Sequence, residues 1–470
     1  MKDGFLKVGA ATLEIRVADC VFNGDAIISR MREAAERGVR LLVLPELCVT
    51  GYTCGDLFLQ DRLLNGAVEA LHRIVQASAE MELLTVVGLP LAFEGKLYNC
   101  AAVVFRGEVL GIVPKTNLPN YGEFYEKRHF MPAPLQNGEI ALFGERIPFG
   151  SKLLFQCAAM PEFTLGVEIC QDLWAPLPPS TGLCLGGAAV IANLSASDET
   201  AGKTAYRREL VCGQSSRMNC AYLYADAGEG ESTTDMVFAG HNLIAEDGVL
   251  LCESGLFRNE MAVSDVDLQR IAYERRRITT FPSGQGEYRR VLFEMGLGET
   301  ELERPIVRRP FVPENQGDRA ARCEEILAIQ SYGLRKRIAH TRCKKVVLGI
   351  SGGLDSSLAL LVAARAMDLL QRPRTDIVAV TMPCFGTTRR TRSNAELLTL
   401  GLGAQLRTVD ITKAVLQHFE DIGHSYENHD VTFENSQARE RTQVLMDIAN
   451  QEGGLVIGTG DLSELALGWA

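Results

Sequence analysis

Seven residues, Ser351-Gly352-Gly353-Leu354-Asp355-Ser356-Ser357, carry the clearest chemical signal in this 470-residue sequence. They lie between the apolar run 345–350 and the run 358–364, which contains neither Gly nor Pro. The first run reads as a buried strand and the second as a helix, so the seven residues form a strand-to-helix turn. Two glycines let the backbone approach a ligand closely, and the serines add hydroxyl groups. The helix start offers unpaired N–H groups to an anion. That combination is a phosphate cradle, with a plain Ser/Gly-rich turn and helix cap as the competing reading. It is not a Walker A loop, because no Lys follows and Asp355 would repel a phosphate unless a cation lay between them. An acid in such a loop points to Mg²⁺ bridging to pyrophosphate oxygens.

Three more residues each follow an apolar run. Leu42-Val43-Leu44-Pro45 leads into Glu46, Gly111-Ile112-Val113-Pro114 into Lys115, and Leu165-Gly166-Val167-Glu168-Ile169 into Cys170. Strand ends are where one fold can bring distant side chains together. A thiolate can attack an amide carbonyl, a carboxylate can carry the thiol proton to the leaving amine, and an ammonium can stabilise the oxyanion. Such an ammonium beside Cys170 is also expected to favour the reactive thiolate. Taken singly, a Cys after a strand is most often core, and a lone Glu or Lys is most often surface.

The elements that position these groups read as two α/β halves. Residues 1–272 alternate short apolar runs with amphipathic helices. Strands are expected at 41–44, 85–88, 101–105, 109–113, 164–169, 188–192, 221–225 and 237–244. Arg106-Gly107-Glu108 and Glu246-Asp247-Gly248 read as hairpin turns, and 27–38 as a helix ending at Gly. Residues 273–317 hold an Arg run, Arg275-Arg276-Arg277, followed by scattered Pro and Gly, and read as an irregular connector. The second half, 318–470, opens with a helix over 319–339. It continues through strands at 377–381, 406–410 and 455–457, an alternation that implies a parallel sheet with its ligand at the strands' carboxyl ends. No repeat or low-complexity tract interrupts either half.

Composition narrows the function classes. Apolar residues make up 46% and charged residues 23%, values of a globular protein with more than one domain at this length. A net charge of −11 argues against general nucleic-acid binding. The thirteen cysteines are odd in number and scattered, the opening lacks a signal-like apolar run, and no run approaches membrane-spanning length. A cytoplasmic protein is expected.

Longer strings around these residues carry a family resemblance. Pro45-Glu46-Leu47-Cys48-Val49-Thr50-Gly51-Tyr52, Pro114-Lys115-Thr116-Asn117-Leu118-Pro119 and Glu168-Ile169-Cys170-Gln171-Asp172-Leu173-Trp174 resemble the three signatures of the nitrilase, or carbon–nitrogen hydrolase, superfamily. The resemblance implies a four-layer α/β/β/α sandwich with Glu46 as general base, Lys115 as oxyanion cation and Cys170 as nucleophile. It also implies Glu123 as the second glutamate, by its distance from Lys115. Tyr121, Gln171, Ser197 and Lys203 fall where relatives contact the polar end of glutamine, although many carry Glu where this sequence has Gln171. Gly202-Lys203-Thr204 is not a Walker fragment, since Ser197 stands where its first Gly would be.

The 351–357 loop resembles the pyrophosphatase (PP-loop) turn of enzymes that cleave ATP between its α and β phosphates, and the half around it resembles the NAD⁺ synthetase family. Pro383-Cys384-Phe385-Gly386-Thr387-Thr388 with Thr391 is similar to that family's adenine and ribose segment. Glu434-Asn435-Ser436-Gln437-Ala438-Arg439 is similar to its helix facing the pyridine nucleotide, which implies Asn435 and Arg439 as deamido-NAD⁺ contacts. Gly458-Thr459-Gly460-Asp461-Leu462-Ser463-Glu464 is similar to its second catalytic loop, which implies Thr459 at ATP and Glu464 sharing Mg²⁺ with Asp355. A nitrilase-like half ahead of such a domain is the order found in glutamine-dependent members. These imply glutamine, ATP and deamido-NAD⁺ as substrates, a homo-oligomer, and further elements beyond Ala470, so that the sequence is expected to be a piece of a longer chain. An amidase with a regulatory nucleotide-binding half, or a non-catalytic nucleotide-binding scaffold, stays open at this level.

Overall fold

The computed structural model describes the chain apart from Ser283, residues 386–388 and 468–470, and the side chains of 389–392. The expected adenine and ribose contacts Gly386, Thr387, Thr388 and Thr391 therefore lie outside the described residues, as does the end of the chain from Gly468. Two units are present, Met1–Ile306 and Val307–Ala470.

The first unit holds an eight-stranded and a seven-stranded sheet. Within the eight-stranded sheet Phe5–Ala11, Leu41–Val43 and Leu84–Phe93 run parallel, and Lys96–Phe105 and Glu108–Pro114 follow antiparallel. The hairpin joining these last two turns at Arg106 (φ 45°) and Gly107 (φ 84°). In the seven-stranded sheet Thr164–Ile169, Val190–Ser195 and Ala221–Asp226 are parallel neighbours.

Alternation along the strands creates the layers. Ala101, Val103 and Phe105 enter a core shared with Val167, Ala192 and Leu223, whereas Cys100, Ala102 and Val104 enter a second core with Ile27, Met31, Leu71 and Ile74. Those last four belong to the helices Cys20–Glu36 and Asp61–Ala77. On the far side, Ile191, Tyr222 and Tyr224 pack with Leu183 and Val211, from the helices Pro179–Leu185 and Lys203–Met218. The order of layers is helix, sheet, sheet, helix, the four-layer sandwich expected.

Two expectations need correction. Residues 273–317 are not one irregular connector: 273–277 finish the helix Leu268–Arg277, and Arg289–Phe293 pairs parallel with Leu153–Cys157 as an edge strand. The run 237–244 is not one strand either. Gly240 adopts φ +67° and breaks it, leaving a single bridge at Phe238 and a strand only at Leu243–Glu246.

In the second unit four parallel strands lie in the order Gln405–Thr408, Ile377–Thr381, Lys345–Gly349, Gly454–Val456. Val346, Leu348, Ile377 and Ala379 face one core, with Ile338 and Leu360. Val347, Val378 and Val380 face the other, with Phe419 and Phe433. Both faces are covered by helices, as a parallel sheet requires. Among the described residues no helix is long and apolar enough to cross a membrane.

Candidate functional sites

Glu46 lies just past the strand Leu41–Val43, in a turn pressed against Leu84–Phe93. Gly88 makes this possible: a Cβ there would sit 2.4 Å from the Leu47 nitrogen and 2.5 Å from the Pro45 oxygen. Lys115 directly follows Glu108–Pro114, and its side chain is completely buried. Cys170 directly follows Thr164–Ile169 at φ 43°, ψ −98°, a conformation that costs a non-glycine residue about 1–3 kcal/mol and recurs at functional turns. Its N–H is shared between the Leu194 carbonyl at 2.8 Å and Asn193 Oδ1 at 3.1 Å.

Lys115 Nζ donates to Glu46 Oε1 at 2.5 Å and to Glu126 Oε1 at 2.6 Å. Glu46 also accepts from Asn99 Nδ2 at 2.6 Å and from the Ala196 N–H at 3.0 Å. The glutamate at the cation is thus Glu126, whereas Glu123 is exposed. The Tyr52 hydroxyl donates to Glu126 Oε1 at 2.8 Å, and Glu126 Oε2 is buried without a partner. Sequence reasoning missed Tyr52, which ends a quoted string, and Glu126, three residues past Glu123, because a loop has no periodicity to mark its inward-facing positions.

Burial would lower the Lys115 pKa, but the Glu126 and Glu46 carboxylates outweigh it and hold the ammonium charged. Burial pushes Glu126 up to about 7, Glu46 adding to the rise and Lys115 opposing it. Burial, with Glu46 next, raises the Cys170 thiol despite Lys115. The expectation that the site favours a thiolate at Cys170 is therefore corrected: burial holds this thiol above the usual range. Asp172 ties the turn together by accepting from the N–H groups of Ile169 (3.0 Å) and Asn117 (2.7 Å).

Tyr121 donates to Gln171 Oε1 at 2.9 Å, and both line a cavity of ≈ 640 Å³ with Trp174 and Phe130. Ser197 and Lys203 are held elsewhere. The Ser197 N–H donates to Asp226 Oδ1 at 2.9 Å, and Arg207 reaches its hydroxyl at 3.4 Å. Lys203 is ion-paired with Asp198, its Nζ 5.4 Å from the Trp174 ring centre. Tyr52, Glu123 and Glu126 line a second cavity of ≈ 500 Å³.

In the second unit the 351–357 turn sits at the carboxyl end of Lys345–Gly349 and opens the helix Leu354–Leu369. Gly352 takes φ +82°. The hydroxyls brace the turn: Ser356 Oγ lies 3.1 Å from Ser351 Oγ, and Ser357 Oγ donates to the Gly353 carbonyl at 2.7 Å. Asp355 is exposed, whereas Ser356 is buried. Thr459 follows the neighbouring strand Gly454–Val456, and Glu464 is exposed, its Oε2 accepting from the Asp461 N–H at 3.1 Å. Asn435 and Arg439 stand four apart on one face of the helix Val431–Glu452.

Among the described residues no three His, Cys, Asp or Glu side chains converge as a metal cage. Asp355 and Glu464 are both exposed carboxylates, the ligand type a hard cation such as Mg²⁺ takes together with substrate phosphates.

Comparison with known proteins places both halves. Residues 7–276 match the carbon–nitrogen hydrolase family and residues 326–470 the NAD synthase family. The class is therefore a carbon–nitrogen hydrolase joined to an NAD synthase. Over 482 aligned residues the chain is 43% identical to the glutamine-dependent NAD(+) synthetase of Mycobacterium leprae, covering 99% of this chain and 71% of that protein. The Thermotoga maritima counterpart is 31% identical, with 99% and 76% covered. A solved glutamine-dependent NAD(+) synthetase from Cytophaga hutchinsonii is 25% identical with a TM-score of 0.50, again covering 99% and 76%. The chain belongs to the glutamine-dependent NAD⁺ synthetase family.

Proposed function

We propose that the chain makes NAD⁺ from deamido-NAD⁺ at two sites, with ATP to activate the substrate and glutamine to supply the nitrogen. The observation that carries the first site is the buried Lys115 bridging Glu46 and Glu126 beside the strained Cys170 turn. Glu46 takes the thiol proton as Cys170 Sγ attacks the side-chain amide carbon of glutamine. Lys115 Nζ stabilises the resulting oxyanion. Collapse breaks the C–N bond, and Glu46 passes its proton to the leaving nitrogen, releasing ammonia. Water, deprotonated by Glu46, then cleaves the thioester to give glutamate and restore the thiol. Tyr121 and Gln171, which line one cavity, hold the amino-acid end of glutamine.

At the second site the nicotinate carboxylate of deamido-NAD⁺ is a poor acyl donor and must first receive AMP from ATP, releasing pyrophosphate. Ammonia then displaces AMP and forms the amide. Ser351, Gly352, Gly353, Ser356, Ser357 and Thr459 bind ATP, and Asn435 and Arg439 face deamido-NAD⁺. Asp355 and Glu464 would hold Mg²⁺, which neutralises pyrophosphate charge when bound. An amidase with a merely regulatory second half is not favoured, because the second half matches the NAD synthase family over 326–470. The cytoplasm is the proposed setting, supported by an odd number of cysteines scattered without paired spacing. A homo-oligomer belongs to the same reading.

NAD⁺ production from deamido-NAD⁺ and ATP, with each nitrogen source in turn, tests the division of labour. Cys170→Ala should abolish production from glutamine and retain it from ammonium salt, increasingly so at higher pH as more ammonia is unprotonated. Asp355→Asn should weaken production from both sources while glutamine hydrolysis continues. A folded, ATP-binding Cys170→Ala protein that makes no NAD⁺ from ammonium would refute the two-site scheme.

A further inference from the structure

A chain of buried polar groups reaches the nucleophile's backbone and has no part in the chemistry above. Asn193, on the strand Val190–Ser195, stands in register with Glu168 on Thr164–Ile169. Asn193 Oδ1 accepts from the Cys170 N–H at 3.1 Å, and its Nδ2 donates to the Tyr222 hydroxyl at 3.0 Å. That hydroxyl in turn donates to Glu168 Oε1, and Glu168 Oε2 accepts from the Ser180 N–H at 2.7 Å. Asn193 and Tyr222 are fully buried, and Glu168 is nearly so.

Donor and acceptor rules fix the direction of this chain. A backbone N–H can only donate, so Asn193 must turn its oxygen to Cys170 and its NH₂ to Tyr222. The Tyr222 oxygen then accepts from Asn193, and its proton must pass onward to an acceptor. A carboxylate at Glu168 supplies that acceptor while still receiving Ser180. Protonated on Oε1, Glu168 would instead point a donor at Tyr222 and strand the tyrosine proton. Flipping Asn193 to accept that proton would set its NH₂ against the Cys170 N–H. The first response leaves a buried donor unpaired, and the second removes the Asn193 contact from the Cys170 turn, whose N–H keeps only the Leu194 carbonyl.

We propose that Asn193, Tyr222 and Glu168 are positioning residues for glutamine hydrolysis, a one-way hydrogen-bond relay whose carboxylate end fixes the pose of the Cys170 turn. It rests on Cys170 being the nucleophile. A turn held at φ 43° needs such bracing, because relaxation would swing the thiol away from Glu46 and Lys115.

The relay changes state in the neutral range. Burial, then the Asp172 carboxyl, pushes Glu168 up to about 7 against the bonds from Tyr222 and Ser180. The titratable groups around it are Asp172 of the Gln171–Trp174 turn, Tyr222 of Ala221–Asp226, Cys184 of Pro179–Leu185 and Cys220 just before Ala221. Arg275 of Leu268–Arg277 lies beside those two thiols, and Gln214 of Lys203–Met218 is neutral and bonded to Ser180 Oγ at 3.0 Å. Below its pKa Glu168 is protonated and the relay is broken; above it, the relay is intact.

Alkylation of Cys170 by iodoacetamide from about pH 5.5 to about pH 8.5, followed by peptide mapping, reads the relay apart from the general rise in thiolate. Native protein should show an added step near neutrality. Glu168→Gln and Tyr222→Phe should lose that step and lower kcat for glutamine hydrolysis by about tenfold or more, with KM little changed. Tyr222→Phe removes a single hydroxyl and serves if Glu168→Gln does not fold, with thermal melting measured alongside. A step retained in the folded variants belongs to Glu126 and overturns the relay. So does a kcat loss equal at all pH values with an unaltered alkylation profile, which marks packing alone. Native labelling at a cysteine other than Cys170 would sink the nucleophile assignment first, and the relay with it.

Discussion

Lys115 has no exposure and two carboxylate oxygens within 2.6 Å, so its charge is held entirely by its neighbours. Removing one partner of such a buried pair typically costs about 3–5 kcal/mol, because the remaining charge is left uncompensated. Glu126→Ala should therefore lower glutamine hydrolysis by about 100-fold through a misplaced oxyanion cation. Glu123→Ala, on the surface, should stay within about twofold of the native rate, since exposed substitutions away from such features are nearly neutral. Steady-state glutaminase kinetics on the two variants checks this, and the reverse order would return the role to Glu123. The strings around Glu46, Lys115 and Cys170 made those three legible in the sequence. Glu126 was not, because Glu123 and Glu126 share one irregular loop where only folding decides which carboxylate turns inward.

At the level of elements, the position of Glu46 depends on how closely two backbones approach. Gly88→Ala would drive a methyl group to 2.4 Å from the Leu47 nitrogen, a contact with backbone that cannot rotate away. The substitution should destabilise the first unit by about 1–3 kcal/mol, as overpacking does. It should also depress glutamine-dependent NAD⁺ formation more than ammonium-dependent formation. Denaturant titration with both assays tests it; equal loss with the two nitrogen sources would contradict the local effect. Element types in the interior were readable, since Thr164–Ile169 and Ile377–Thr381 fall where the apolar runs predict. The strand Arg289–Phe293 was not, because it pairs on one side only and buries little beyond Phe293. Its exposed charged residues are those expected of an edge strand, and they hide the strand pattern.

Across the whole molecule, several buried carboxyl groups keep protons that an unfolded chain would release. Burial raises Asp226 to about 6, Glu168 to about 7 and Glu231 to about 8, each above its unfolded value. The folded state thus binds more protons than the unfolded state, so unfolding free energy falls as pH rises. Their contribution is complete below about pH 4 and is lost progressively up to about pH 8. Carboxylates held low, such as Glu303 beside Lys7, lose their contribution only on acidification. Thermal melting of the first unit should accordingly shift downward by several degrees between mildly acidic and mildly alkaline pH; a rise over that range would contradict the assignment. The sequence by itself determined two α/β halves, the strand-to-helix turn at Asp355, and the places of Glu46, Lys115 and Cys170 just past their strands, because apolar periodicity and local strings are written in neighbouring residues. Only the tertiary structure decided that Glu126 pairs with Lys115, that burial raises the Cys170 thiol, and that Asn193, Tyr222 and Glu168 meet the Cys170 turn. Each of these depends on burial and on contacts between residues as far apart as Glu168 and Tyr222, quantities that exist only once the sheets have packed.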